Sequence, residues 1–487
     1  MQLTDLLEGE DEQGMQAAGE KTNQIRGLTA DSRLVKPGYL FAALPGSQAD
    51  GRDFIVDAVE RGASAVLAPA ESALQVPKDI SVVTTENPRR LYARMAAKFH
   101  GRQPAHMAAV TGTNGKTSVA DFARQIWSHQ GRRAASVGTL GIISSNGWRR
   151  GSLTTPDPAD LHASLKALAE NRVTHAALEA SSHGLDQHRL DGVRIGVAAF
   201  TNLSRDHLDY HGDMENYLAA KLRLFTEVLT PGGAVVMSSD DPVSRKVWDA
   251  ATGAGATVTT VGLAGDHISL GAVSPAAEGL DMTFILAGSR HHVRLPLAGG
   301  FQAMNALIAL GIVVAGGGDA GTAVEALSHL KGVPGRLEKI SDYRGGAVYV
   351  DYAHTPDAVT TALDAVRPHT RGKLIAIIGC GGDRDPGKRA SMGAAALSGA
   401  DEVIVTDDNP RTEDPASIRA AVLEGAPAAT EIGDRRDAIR RAVRMIGPGD
   451  VVLVAGKGHE DGQIVGEDIL PFNDADVIRD LITELGG

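Results

Sequence analysis

Val110-Thr111-Gly112-Thr113-Asn114-Gly115-Lys116-Thr117-Ser118 is the stretch that decides the fold. It joins the apolar residues Ala108, Ala109 and Val110 to a segment, Val119 to Gln130, that reads as a helix. A glycine loop between a strand and a helix start turns backbone N–H groups toward phosphate. Lys116 is placed to reach the terminal phosphates, and the Thr117 hydroxyl to sit on a magnesium ion. The standard loop has a glycine five residues before Gly115, where this chain has Val110. The first glycine here is Gly112, so the loop is shorter. The reading is a nucleotide-binding α/β domain.

Composition bounds the rest. A chain of 487 residues predicts two to four domains. An apolar fraction of 43% is ordinary for a soluble protein, and 57 glycines suit many strand–helix turns. The net charge of −12, with no basic run, argues against nucleic acid as a partner. An anionic substrate must therefore be drawn in by local cations. With Cys380 as the single cysteine, an internal disulfide and a cysteine zinc cluster are excluded, which fits a reducing cytoplasm. Residues 1–12 are acidic and lack a signal-peptide core. The longest apolar run, residues 306–315, is too short to span a bilayer and reads as a buried helix, so no membrane partner is expected.

Three blocks follow. Residues 1–101 carry short strands and turns and then a helix over 89–99, with a linker at 101–104. From there to residue 332, strand-like runs (176–178, 195–200, 234–237) alternate with helices (161–170, 215–229), which argues for a mostly parallel sheet. Residues 267–297 break the rhythm and suggest a small antiparallel insertion, followed by a helix over 304–314. The turn Val333-Pro334-Gly335 marks the next boundary. Beyond it, strands at 347–350, 374–378, 402–405 and 451–454 predict another parallel α/β domain over 333–487.

Several constellations sit at strand ends. Glu179 closes the strand 176–178, and a carboxylate there, beside a phosphate loop, suits a second metal contact. The run Thr201-Asn202-Leu203-Ser204-Arg205-Asp206-His207-Leu208-Asp209-Tyr210-His211 follows the next strand. His207 and His211 have i,i+4 spacing, but a third zinc ligand at matching spacing is absent, so His207 reads as a magnesium or phosphate contact. Lys221, taken alone, reads as a surface lysine on a helix. In the last block, Asp407-Asp408-Asn409-Pro410-Arg411 follows strand 402–405, at the ligand-binding edge of an open sheet. Pro410 stiffens the turn, Arg411 offers a planar fork to a carboxylate, and Asp408 suits an ammonium. Gly456-Lys457-Gly458-His459-Glu460 can reach the same edge. A ligand with a carboxylate and an amine at its far end fits this set. Gly379-Cys380-Gly381-Gly382-Asp383-Arg384 imitates a dinucleotide fingerprint but has Arg384 at the third glycine position.

In order along the chain, Thr111–Thr117, Glu179-Ala-Ser-Ser-His183, Asn202 to His207 and the Tyr217…Lys221 helix resemble the Mur ligase family, the ATP-dependent amino-acid ligases of peptidoglycan precursor synthesis. Matching segments run from about Ala30 to Glu460. The resemblance implies a smaller N-terminal α/β domain for the UDP-sugar (1–101), a central P-loop-type domain for ATP (102–332) and a C-terminal Rossmann-like α/β domain for the amino acid (333–487). It implies that Ser32, Ser47, Gln48 and Ala49 face the uridine nucleotide; Ser47 stands where members often carry histidine. Thr154, Thr155, Ser181, Gln187 and Arg189 match positions holding the sugar-peptide. Asn305, Arg336 and Asp351 match adenine, phosphate and ribose contacts, alongside Gly112, Thr113, Asn114, Gly115, Lys116, Thr117 and Ser118.

Lys221 matches a lysine that is carbamylated in the family, and with Thr117, Glu179 and His207 it is implied to surround two magnesium ions. The D-N-P-R turn implies meso-diaminopimelate as the incoming amino acid, with Arg384, Asp408, Asn409, Pro410, Arg411, Gly456 and Glu460 in contact. The implied reaction activates the D-Glu carboxylate of UDP-MurNAc-L-Ala-D-Glu with ATP, using Lys116, Glu179, His207, Lys221 and Arg336, in a cytoplasmic monomer. Folylpolyglutamate synthases share a similar loop and the lysine chemistry, but D-N-P-R and the uridine segments argue against them. A nucleotide-dependent switch without ligation is the alternative of another class.

Overall fold

The computed structural model describes residues 1–19, 23–46, 49–70, 72, 76–149, 151, 153–276 and 279–486. Ser47 and Gln48 lie outside the described residues. Among the described residues, three sheets carry the architecture, in chain order.

The N-terminal sheet runs, side by side, Gln16–Ala18, Ser81–Thr85, Ala63–Pro69, Tyr39–Ala42 and Gly27–Thr29. Its pairs are parallel except at the Gln16–Ala18 edge. The helix Pro88–His100 packs Leu91, Tyr92 and Met95 against it. Asn87 caps that helix by accepting from Arg90 N at 3.0 Å, Pro88 supplies a preset φ in the first turn, and Gly101 ends it at φ +69°.

The central sheet places His106–Thr111 between Ile195–Phe200 and His175–Glu179, all parallel. Register sets Glu179 beside Val110 and Phe200 beside Thr111. The phosphate loop, the turn after Glu179 and the run from Thr201 therefore leave one edge side by side, as parallel strands require. Alanines at 108, 109, 177, 198 and 199 are buried, and their small side chains admit helices close on both faces. Lys116–His129 and Phe301–Ala315 cover one face; Pro158–Glu170 with Leu224 and Phe225 cover the other. Phe301–Ala315 buries Leu307, Ile308, Leu310, Ile312 and Val313, each worth about 1.5–3 kcal/mol of transfer free energy.

One expectation is extended and one is revised. The antiparallel segment expected over 267–297 is present, as the strands Ile268–Ala276, Gly279–Leu286 and Ser289–Leu295. They extend the central sheet, because Val261 pairs with Ile268 and Gly262 with Ser269. The helix expected over 215–229 runs as Met214–Arg223, widens into a π-turn at Leu224–Val228 and gives way to a strand at Leu229.

The C-terminal sheet has the order Glu338–Tyr343, Gly346–Asp351, Val451–Ala455, Leu374–Ile378, Glu402–Val405 and Thr430–Glu431. It is parallel apart from the first pair. A hairpin, Gly462–Val465 with Asp468–Pro471, is stitched to Arg411: Arg411 N donates to Ile464 O at 3.0 Å, and Gly466 N donates to Arg411 O at 2.7 Å.

His162, on Pro158–Glu170, is 2% exposed and wedged against Gly192, where an added Cβ would lie 2.9 Å from its Nε2. Burial, then the neighbouring His100 and Arg194, press its imidazole down to about 4. The folded ring stays neutral while a free histidine protonates near pH 6.5. The unfolded chain thus takes up more protons below that pH, and stability falls as pH drops from about 6.5 toward 4. The expected loss from this one ring is about 2 kcal/mol between pH 7 and pH 5. Urea unfolding at both pH values should show His162→Gln losing less stability than the parent; equal losses refute the assignment.

Candidate active site

The phosphate loop is shaped from the neighbouring strand end. Gly112 has φ +144° and Gly115 φ +83°. A Cβ at Gly112 would collide with Thr201 Oγ1, and one at Gly115 would lie 2.5 Å from Asn305 Oδ1, so both positions need glycine. Thr113 N donates to Asn202 O at 2.8 Å, Asn114 N to Asn202 Oδ1 at 2.9 Å, and Thr201 Oγ1 to Asn114 O at 2.6 Å. Lys116 Nζ donates to Gly112 O (3.0 Å) and Thr113 O (2.7 Å). Burial pushes its pKa down, with Glu179 and Asp206 pulling the other way. Thr117 Oγ1 donates to Glu179 Oε2 at 3.0 Å. Glu179 is 3% exposed and also accepts from Thr139 N (2.8 Å) and Thr139 Oγ1 (3.1 Å). Ser118 is buried in the first turn of the helix.

Residues from later in the chain close on this loop. Asn305 is buried and donates to Gln302 Oε1 at 3.0 Å. Arg336 Nη2 donates to Thr117 Oγ1 at 3.3 Å, and its guanidinium lies 4.5 Å from the Tyr352 ring centroid. Asp351 accepts from Leu337 N (2.6 Å) and Ala353 N (2.8 Å), which braces the turn that carries Arg336. Burial raises the Asp351 carboxyl to about 6, against the pull of Arg336.

Lys221 is not a surface lysine. It is 1% exposed, donates to Gly112 O at 2.8 Å and sits 4.3 Å from the Tyr217 ring centroid. Burial drives its pKa well below the usual lysine value, and Lys116 adds to the effect. The signal was in the sequence. Tyr217, Leu218, Leu224 and Phe225 form the buried stripe of this helical segment, and Lys221 lies inside it at i+4 from Tyr217. His207 and His211 do not share a helix face either. His207, at φ +54°, precedes the helix Leu208–His211. Its ring stands edge-on to His183 at 4.8 Å, with Nε2 3.4 Å from Asp206 Oδ2. Desolvation lowers the imidazole pKa, although Asp206 opposes it.

A cleft of about 850 Å³ separates the loop edges of the central and C-terminal sheets. Thr154, Thr155, Ser181, Arg189 and His207 line one side; Arg384, Asp408, Asn409, Arg411, Gly456 and Glu460 line the other. On the first side, Ser181 Oγ donates to Thr155 Oγ1 at 3.0 Å and Arg189 Nη1 to Thr155 O at 2.6 Å. Gln187 is a support, accepting from Arg189 Nη2 at 2.6 Å and donating to Tyr210 OH at 3.1 Å. On the second side, Glu460 Oε2 accepts from Asn409 Nδ2 (2.8 Å) and from the buried Lys457 Nζ (3.0 Å). Arg411, at φ +53°, donates Nη1 to Gly382 O at 2.7 Å, and among the described residues no carboxylate forms an ion pair with it. Arg384 donates to Asp383 O at 3.2 Å. The Pro410 carbonyl packs where a Cβ at Gly382 would stand.

Ser32 and Ala49 are not among the cleft-lining residues. Ser32 is buried in a 3-10 turn capped by Asp31, and Ala49 O accepts from Gly46 N at 3.0 Å. The sequence reading did not single out Asp206, Lys388 and His354, which also line the cleft, nor Lys457. Asp206 and Lys457 lay inside quoted motifs, but nothing in their spacing marked them for burial.

Family comparisons agree along the chain. Residues 24–109 match the Mur ligase family catalytic domain, 110–313 the Mur ligase middle domain, and 335–458 the Mur ligase glutamate ligase domain. A UDP-N-acetylmuramoyl-L-alanyl-D-glutamate--2,6-diaminopimelate ligase from Caulobacter vibrioides is 54% identical over 458 residues, covering 92% of this chain and 94% of that one. A solved structure of an enzyme of that name superposes with a TM-score of 0.70 at 34% identity, covering 100% and 99% of the two chains. At 19% identity, the fold alone is shared with a MurF ligase from Thermotoga maritima in complex with ADP (TM-score 0.65, 94% and 97% covered). The three matches follow one another in the order of the three sheets, the relative is spanned almost end to end, and the chain belongs to the Mur ligase family.

Proposed function

We propose that the protein is an ATP-dependent ligase that joins meso-2,6-diaminopimelate to the D-Glu carboxylate of UDP-MurNAc-L-Ala-D-Glu in peptidoglycan precursor synthesis, and so serves cell-wall biogenesis, cell shape and division. One observation carries the reading. A single cleft sets Thr155, Ser181 and Arg189, suited to a sugar-peptide, opposite Arg411 with Asp408 and Glu460, suited to the carboxylate and ammonium of a diamino diacid. Residues 1–101 take the UDP-sugar, with Ser32, Ser47, Gln48 and Ala49 near it. Residues 102–332 take ATP, and residues 333–487 the amino acid.

Amide formation from a free carboxylate is uphill because two solvated charges are lost. Phosphorylation of the carboxylate gives an acyl phosphate; the amine attacks its carbonyl carbon and phosphate leaves. The chain's part is to position and to balance charge. Backbone N–H groups of the loop, Lys116 and Arg336 face the transferring phosphoryl group, Asn305 the adenine and Asp351 the ribose. The Thr117 hydroxyl and the Glu179 carboxylate converge within 3.0 Å, an oxygen pair that fits a hard cation. Together with His207 and a carbamate on Lys221, they would hold two magnesium ions, which offset phosphate charge. Burial favours the neutral Lys221 amine, the form that adds to carbon dioxide. The single cysteine suits a reducing cytoplasm, and among the described residues no helix is long and apolar enough to cross a membrane.

A phosphate-release assay with UDP-MurNAc-L-Ala-D-Glu tests the reading directly: release should require both this acceptor and diaminopimelate. Lysine lacks the distal carboxylate, which leaves Arg411 unpaired at a cost of roughly 2–5 kcal/mol, so kcat/KM should favour diaminopimelate about a hundredfold or more. Comparable turnover with lysine sinks the role of Arg411. Lys116→Ala should abolish phosphate release with an unchanged circular dichroism spectrum; near-normal activity of the folded variant counts against the loop assignment.

A further inference from the structure

Beneath the Asp408–Glu460 side of the cleft lies a charge pair outside every loop so far described. Arg435 and Asp474 are the first residues of the helices Arg435–Met445 and Asp474–Glu484, and both side chains are 0% exposed. Arg435 Nε donates to Asp474 Oδ1 at 2.8 Å and Nη2 to Asp474 Oδ2 at 2.7 Å, a two-point fork. Nη2 also donates to Ala455 O at 3.0 Å, and Nη1 reaches Asp407 O at 3.5 Å. Burial works against the charge on Arg435, but Asp474, with Asp408 and Glu460 behind it, outweighs burial and keeps the guanidinium protonated.

The two carbonyls are the point. Ala455 ends the strand Val451–Ala455 and leads into Gly456-Lys457-Gly458-His459-Glu460. Asp407 opens Asp407-Asp408-Asn409-Pro410-Arg411 beyond the strand Glu402–Val405. These strands are not neighbours, because Leu374–Ile378 lies between them, so no ladder hydrogen bond sets the distance between their ends. One guanidinium spans them from beneath, below the side-chain bridges that Asn409 and Lys457 make between the two loops. The far side of the pair is tied in as well: Asn473, the cap of the Asp474 helix, donates to Glu460 O at 3.3 Å and Asp461 Oδ1 at 3.1 Å. Spacing here is tight. Gly456 adopts φ +115°, and a Cβ on it would lie 2.5 Å from Asp408 Oδ2.

Stability does not explain a pair in this place. Buried ion pairs lose in desolvation much of what attraction returns, and apolar residues of like volume often replace them without loss. Leucine and methionine would fill the space, but they would bind neither carbonyl.

We infer that Arg435 and Asp474 are positioning residues for the incoming amino acid, tying Ala455 O and Asp407 O to one guanidinium and so setting the separation of Asp408 and Arg411 from Gly456 and Glu460. The inference rests on the reading that this side of the cleft takes the diamino diacid. Steady-state kinetics on the full-length enzyme decide it, with Arg435→Lys, which keeps the charge but not the fork, and with the double variant Arg435→Met/Asp474→Leu. Both should raise KM for diaminopimelate about tenfold or more while KM for ATP and for UDP-MurNAc-L-Ala-D-Glu stays within about twofold, and the double variant should melt close to the parent. Where the double variant does not fold, Arg435→Lys carries the same readout. Wild-type KM for diaminopimelate in a folded variant, or three KM values moving together, reduces the pair to scaffolding and overturns the inference. A parent enzyme that does not turn over diaminopimelate overturns the substrate reading, and this inference with it.

Discussion

Two lysines share one carbonyl, and the rest of the site is organised around that fact. Lys116 and Lys221 arrive from different helices and both donate to Gly112 O, at 3.0 and 2.8 Å. Two ammonium groups cannot both keep their charge cheaply in so small a buried space, and burial pushes both pKa values down, with Lys116 a further cause for Lys221. The carbonyl is presented only because Gly112 turns at φ +144°, a geometry that Thr201 would block for any side chain. Loop shape, lysine charge state and the neighbouring strand end are therefore one constraint, set by three parallel strands in fixed register.

The alternation of apolar runs and helices predicted the fold class, and parallel pairing delivered it. What pattern alone did not reveal has physical causes. The strands after Ile268 read as a break because short antiparallel strands alternate inward and outward, while the buried parallel core does not. Lys221, taken alone, read as a surface lysine for the opposite reason. A lysine in a buried stripe contradicts the usual price of desolvating a cation, and only its carbonyl and aromatic partners make the position tolerable. Spacing along the chain placed Glu179, His207 and Arg411 at strand ends. It was silent on Asp206, His354 and Lys457, whose surroundings come from segments far away in sequence.

The cleft shows how a three-sheet protein builds a shared site without a shared core. The central and C-terminal sheets each have their own apolar layers on both faces, and the cleft is lined by loops and by the helix and strand segments beside them. The loops of the C-terminal side are fastened from below by buried charges and from above by Lys457 bridging Asn409 and Glu460.

Arg336 belongs to the turn that joins the central and C-terminal sheets, stacks on Tyr352 and reaches Thr117 in the phosphate loop. The joint thus reaches onto the first turn of the helix Lys116–His129. A change in the angle between the central and C-terminal sheets must therefore stretch or break the Arg336–Thr117 contact.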